Sequence, residues 1–267
     1  MHGKPWKSGH AAIVVLLALL AAGPGVADWK IYVAPDLGIS GAMTDTDGAV
    51  SAPPGFPLSG EDDDGSPLLA LAVGLEVPMD ELFPREWLMG ARLPKWPVRF
   101  EVEGAGLREY EFRTAGGGPD VLFTTLTTES LFVNTWVDIP MTSAYQPIQF
   151  LLGLGRQPRV RQVLDPMSLY LGIGIGVGFS DFDGTSNAID ATDGVIDFAW
   201  NTGMGLNYQL TDRVALSGGY RYVGLGPQSI TLTGPVNGGD DVEFDTHIHE
   251  FRFQVRVRVY EFLSPWR

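Results

Sequence analysis

Three local patterns in this chain carry groups able to do chemistry. His247, His249 and Glu250 set two imidazoles beside a carboxylate, the makings of a metal site or an acid–base pair. Asp45, Asp47 and Gly48, and again Asp181, Asp183 and Gly184, repeat the opening of a calcium loop, where alternate carboxylates and a glycine wrap a hard cation. Gly172, Gly174, Gly176 and Gly178 form a glycine run of the kind that elsewhere approaches a phosphate.

Each pattern weakens when its backbone is considered. On a β-strand successive side chains face opposite ways, so His247 and His249 share a face and Glu250 points to the other. The expectation is rim- or loop-facing histidines, with no catalytic residue and no metal site. Neither aspartate pair has the full ligand series or its closing glutamate, so both read as solvated surface loops. The glycines keep a strict period of two and no helix follows, so they line one strand face and do not form a nucleotide loop.

The element that governs all three is the strand. From Phe251 to Tyr260 the chain reads FRFQVRVRVY, with Phe251, Phe253, Val255, Val257 and Val259 on one face and Arg252, Gln254, Arg256, Arg258 and Tyr260 on the other. Seven further segments alternate in the same way: Trp29–Ser40, Leu68–Val77, Val98 to about Phe112, Ser130–Ile139, Leu169–Phe179, Phe198–Gln209 and Val214–Val223. A soluble sheet would bury the apolar face and wet the polar one. A transmembrane barrel turns the apolar face to lipid and the polar face to its lumen. Unbroken apolar faces on all eight segments favour the second arrangement, and eight strands of about ten residues make the smallest common membrane barrel.

Composition and the N-terminus agree. Lys4 and Lys7 precede an apolar run from Ala11 to Ala22, followed by small residues at Gly25 and Ala27, which reads as a secretory signal peptide over residues 1–27, with the mature domain over 28–267. The run falls short of a spanning helix and no later segment is long and apolar enough, so insertion must come from strands. Without cysteine there is no disulfide scaffold or thiol nucleophile. Removing Lys4 and Lys7 from 18 basic residues leaves 16 against 32 acidic ones, a charge of −16, which excludes nucleic acid as a partner.

The polar faces gather Asp36, Glu76, Glu101, Glu103, Asp138 and Glu250 with Arg99, Arg221, Arg252, Arg256 and Arg258, near balance in a strongly acidic protein. Near balance is expected if these charges pair inside a narrow lumen and plug it. Glycines on the polar faces of the fifth and sixth strands leave room for long arginines. Trp29 and Tyr208 at one rim, with Phe179, Trp200, Tyr220, Tyr222 and Phe251 at the other, read as aromatic girdles. The outer loops are expected at Gly41–Pro67, Arg113–Glu129, Asp181–Asp197 and Gly224–Thr246, with a short inner turn at Thr211 and Asp212. The other inner connections, Met79–Pro97 and Pro140–Met167, are long and are expected to hold short amphipathic helices at the inner interface, the second near Gln149–Leu154, Arg156, Arg159 and Arg161.

On YVAPDLGIS, SLYLGIGIGVGF, FAWNTGMGLNYQLTDRVALSGGYRYVGLG and HEFRFQVRVRVYEF, the chain resembles the OmpA-like eight-stranded outer-membrane barrels of Gram-negative bacteria, including the small OmpX and opacity-type surface proteins. The resemblance covers the mature chain and departs from the pattern in the residues Leu263–Arg267 after Phe262 and in the two long inner connections. It implies an all-β, antiparallel, up-and-down transmembrane barrel in the cell outer membrane, with no cofactor. No peptidoglycan-binding domain is expected. Some small outer-membrane barrels are lipid A deacylases, whose histidine and serine lie two residues apart. Here His249 takes the serine's place, so the motif does not carry over.

The expected role is non-enzymatic, in envelope integrity or surface interaction, as a monomer. The expected partners are outer-membrane lipids and lipopolysaccharide, bridged by divalent cations, and an extracellular ligand bound through the loops. A lipid A-modifying enzyme and a narrow, porin-like small-solute channel are the alternatives.

Overall fold

The structure, a computed structural model, describes residues 29–50, 56–82, 93–115, 121–143, 158–185, 190–232 and 240–261. The signal-peptide residues and the stretches at Gln149–Leu154, Arg156 and Leu263–Arg267 lie outside them. Among the described residues there are nine strands: β1 (Lys30–Val50), β2 (Phe56–Pro78), β3 (Pro97–Ala115), β4 (Val121–Pro140), β5 (Met167–Thr185), β6 (Asp190–Gln209), β7 (Val214–Leu225), β8 (Gln228–Leu232) and β9 (Asp240–Glu261). Each pairs antiparallel with its neighbour, and β1 closes on β9 from Lys30–Glu261 to Gly48–Val242. The result is a closed eight-stranded barrel. The short β8 continues the wall of β7 above Gly226 and Pro227, pairing Gln228 with Phe244 where β7 pairs Gly224 with His247. Proline has no amide hydrogen to give the ladder, which accounts for the interruption. Among the described residues, the long connections hold the short helices α1 (Met79–Leu82) and α2 (Pro158–Leu164), at the end of the barrel that also holds the tight β6–β7 turn.

Apart from β7 and β8, the strands run to about twice the expected ten residues. Twenty-one residues in β1, at ~3.3 Å each and ~45° tilt, give ~50 Å of height, against an apolar band of ~25 Å. The four stretches expected as outer loops are therefore mostly paired strand: Asp45 faces Glu61, Arg113 faces Phe123, and Asp181 faces Gly194. The aspartates of the calcium-like fragments sit on β1 and β5, where they cannot wrap a cation as a loop does.

What misleads there is an inversion of polarity without a change of phase. On β9, Val242, Phe244 and Ile248 point inward and are fully buried, while Glu243 and Asp245 face out. Eight residues further on, Phe251, Phe253 and Val257 face out while Arg252, Gln254 and Arg256 face in. The strand has simply left the hydrocarbon, so the apolar side now has to be inside.

One seam of the wall is built differently. The β2–β3 ladder runs from Pro78–Pro97 only as far as Leu69–Gly106. There β3 bulges: the register against β4 slips between Ala105 and Arg108, and Leu107 takes a φ of 61°. Above the bulge, side chains of β2 replace its backbone. The amide of Glu109 donates to Ser66 Oγ (2.9 Å), that of Glu111 to Asp64 Oδ2 (2.8 Å) and that of Arg113 to Asp62 Oδ2 (2.7 Å). Asp64→Ala should remove one such bond, costing about 0.5–1.5 kcal/mol. Hydrogen exchange would show it as faster exchange at the Glu111 amide, with the amides of the β5–β6 ladder unchanged.

Candidate functional site: the barrel interior and its outer rim

Inward-pointing residues fill the barrel in two storeys. The lower storey is ionic. Arg99 donates from Nη1 to Glu101 (2.6 Å) and from Nε to Asp138 (3.1 Å), while Tyr32 and Trp136 donate to the two oxygens of Glu101 at 2.6 and 2.9 Å. Arg221 bridges Glu103 (2.6 Å) and Glu250 (2.7 Å), and Arg252 reaches Glu103 at 3.0 Å and also pairs with Asp36. Arg256 lies 3.5 Å from Asp138, and Arg258 at the lower mouth meets Glu76 at 3.0 Å. Every charged residue expected on the polar faces thus points inward, and each has a partner of opposite sign.

Sequence reasoning missed one member. Arg108 is completely buried, 3.3 Å from Glu250. Strict alternation from Arg99, Glu101 and Glu103 puts Arg108 outside. The bulge at Gly106 and Leu107 shifts the phase by one, turning Leu107 out and Arg108, Tyr110 and Phe112 in. The legible signal was the reversal itself, because after Leu107 the acids Glu109 and Glu111 alternate with aromatics in the opposite phase. With Arg108 the named acids and arginines of the interior stand at six each.

The inward glycines make room, but for aromatic rings and amides and not for arginines. A Cβ on Gly172 would strike Trp136, one on Gly205 or Gly219 would strike Tyr170, and one on Gly74 would strike Tyr32. Gly174 faces the amides of Asn134 and Asn201, which bond to each other at 2.9 Å. Guanidiniums lie over rings of the interior, Arg99 5.5 Å from the Tyr170 centroid and Arg221 5.3 Å from that of Phe132.

The upper storey is mainly apolar, with a few buried hydroxyls and amides bonded among the rings, such as Thr44 with Thr246 and Gln228 with Ser180. Tyr110, Phe112, Leu126, Phe132, Phe182, Leu225, Phe244 and Ile248 pack together, all at most 3% exposed. The lower storey retains a cavity of about 20 Å³ between Asp36, Arg221 and Arg252, room for a single water, and a mouth of about 150 Å³ near Asp138 and Arg258.

The outer surface changes abruptly along each long strand. Leu37, Ile39, Leu69, Leu71, Ile173, Ile175, Phe251 and Phe253 are exposed. Just above them a collar of outward acids begins, including Asp45, Glu61, Asp63, Glu109, Glu129, Asp181 and Asp245. At this border lie Trp200, Phe179, Tyr220 and Tyr222, while Trp29 and Tyr208 lie at the lower end. Phe251, on the same register line as Tyr220, is 61% exposed.

The histidines belong to this border. His249 Nδ1 lies 2.6 Å from the Tyr220 hydroxyl and His247 stacks on Tyr222 at 5.7 Å. Glu250 is inside the barrel with Arg221, so the three-residue acid–base set does not assemble. Among the described residues no group of three or more histidines and carboxylates is arranged to hold a metal ion.

A family model described as outer membrane protein beta-barrel domain matches residues 118–257. No curated protein matches the chain. Among solved structures it is similar to Neisserial surface protein A (16% identity, 85% of this chain and 96% of that one, TM-score 0.39). OprG from Pseudomonas aeruginosa gives 12% identity over 88% of this chain and 99% of that one, with a TM-score of 0.45. The outer membrane protein AlkL, solved in lipid bilayers, gives 15% over 97% of each, with a TM-score of 0.35.

Proposed function

The chain belongs to the outer membrane protein beta-barrel domain family, and from that premise we propose that it is a non-conducting, non-enzymatic surface barrel of the outer membrane. One observation carries this reading: the interior is occupied by an ionic storey capped by an apolar one, with a cavity of about 20 Å³ enclosed between charged side chains. A hydrated ion crossing such a lumen would have to part ion pairs that have little water to replace them, and then cross a layer of packed rings. The charge network acts as a structural plug, and the working surface is the acidic rim that stands clear of the lipid.

That rim supports a role in envelope integrity. Outward carboxylates on successive strands, with Asp45 directly opposite both Glu61 and Asp245, repel one another and are relieved by a divalent cation shared with lipopolysaccharide phosphates. Strand extensions above it present the tips to an extracellular ligand.

In planar bilayers the purified protein should give no discrete conductance steps, and lipid A mass spectra should be the same in cells with and without the gene. Steps of uniform size that persist in Arg221 and Glu103 variants would revive the channel. A changed acylation pattern would revive the enzyme.

A further inference from the structure

On the lipid-facing wall, a groove of about 370 Å³ lies between Leu171, Ile173, Thr202, Met204 and Tyr220. It exists because Thr202 is short among long neighbours and folds its hydroxyl back onto the Gly172 carbonyl (3.1 Å), leaving Ile173 and Met204 standing 66% and 61% exposed on either side. The groove lies below the line where outward carboxylates begin, at a depth where a hydrocarbon chain is the available occupant.

Its upper end runs into an aromatic platform. Trp200 lies flat over Gly224, where an added Cβ would meet Nε1, Cε2 and Cζ2 of the indole at 2.5–3.1 Å. One indole face is thus pressed to the wall and the other is free to be stacked upon. Tyr222 adjoins Trp200 at 5.3 Å and carries His247 against it, and Tyr220 holds His249. The carboxylate of Asp245 lies above the platform, 3.7 Å from His247, and the outward acids Glu243 and Asp45 continue the fringe further up β9 and on β1. A free phosphate is disfavoured by that fringe, whereas a sugar ring suits it: the ring's C–H face stacks on indole or phenol while carboxylates and imidazoles accept and donate to its hydroxyls.

We infer that this face seats one outer-leaflet glycolipid, an acyl chain in the Thr202 groove and a sugar ring over Trp200 and Tyr222. Tyr220 belongs to both halves of the seat, which ties chain and headgroup to one molecule. The inference rests on the barrel's place in the outer membrane and not on the sealed lumen, so the conductance experiment and this one fail separately.

The test uses the full protein in phosphatidylcholine vesicles, with and without an acylated glucosamine disaccharide lipid, in phosphorylated and phosphate-free forms. The readout is the temperature at which the folded band converts to the unfolded one on a gel. The wild-type midpoint should rise with either glycolipid. In Trp200→Leu and Thr202→Leu the half-maximal rise should need about tenfold more glycolipid, corresponding to ~1.4 kcal/mol, each rise being taken from that variant's own midpoint in phosphatidylcholine alone. No rise in the wild-type protein, a rise only with the phosphorylated lipid, or an equal rise in all three proteins would overturn the proposal. The wild-type comparison decides it even if a variant does not fold.

Discussion

Arg221→Met is expected to destabilise the folded barrel by about 3–5 kcal/mol. Arg221 bridges two fully buried carboxylates at short range, Glu103 at 2.6 Å and Glu250 at 2.7 Å. Methionine fills much of its volume over Phe132 but answers neither charge. Arg252 stays near both acids, at 3.0 and 3.9 Å, and Arg108 stays near Glu250, so the loss falls short of a naked ion. Urea titration of vesicle-embedded protein, followed by tryptophan emission and by the heat shift, gives the number. The companion variant Arg221→Met, Glu103→Gln should recover part of it, because one acid leaves with the lost cation while Glu250 keeps Arg108 and Arg252 keeps Asp36. A single variant within 1 kcal/mol of wild type would mean the ionic storey does not hold the barrel together.

Gly176→Ala should act as strongly by a purely steric route. Gly176 faces Phe132 across the β4–β5 ladder, and a Cβ there would run into the Leu131 carbonyl oxygen and lie 2.9 Å from the Phe132 Cα. Those atoms are backbone, so they yield only by parting the ladder. A loss of about 3 kcal/mol is expected, at the upper end of overpacking costs, with the folded gel band lost at lower temperature. Gly104→Ala is the control, since its Cβ would meet nothing within 4 Å. Equal behaviour of the two would show that the close approach of β4 and β5 is not a constraint on closure.

The two cases also mark what a sequence reader can and cannot see. Alternation is a local property, and one face must meet hydrocarbon, so the eight membrane-spanning cores could be placed from residues such as Ile173, Gly174 and Ile175 alone. The closed antiparallel barrel follows from their number. The ion-pair members could be collected because they share a face, but which arginine meets which acid depends on shear and register. Arg221 finds Glu103 across the lumen, 118 residues away. Arg108 escaped because one extra residue at the bulge reverses every later orientation in β3. The upper barrel escaped for a different reason: beyond the membrane the solvent changes sides, so Tyr110, Phe182 and Phe244 mark an interior where the lower strands keep their charges. Read with that inversion in mind, Glu109, Glu111, Glu243 and Asp245 are strand residues.

Above the bulge, β2 and β3 are two strand margins with no backbone ladder between them, and a bare strand margin is a template on which any extended chain can add itself. Here the template is already occupied. Ser66, Asp64 and Asp62 hold the Glu109, Glu111 and Arg113 amides, so an incoming strand finds its donors taken and a line of negative charge in its path. The same three side chains that close the wall therefore guard a crowded cell surface against edge-to-edge aggregation, and they do so without a single additional backbone pair.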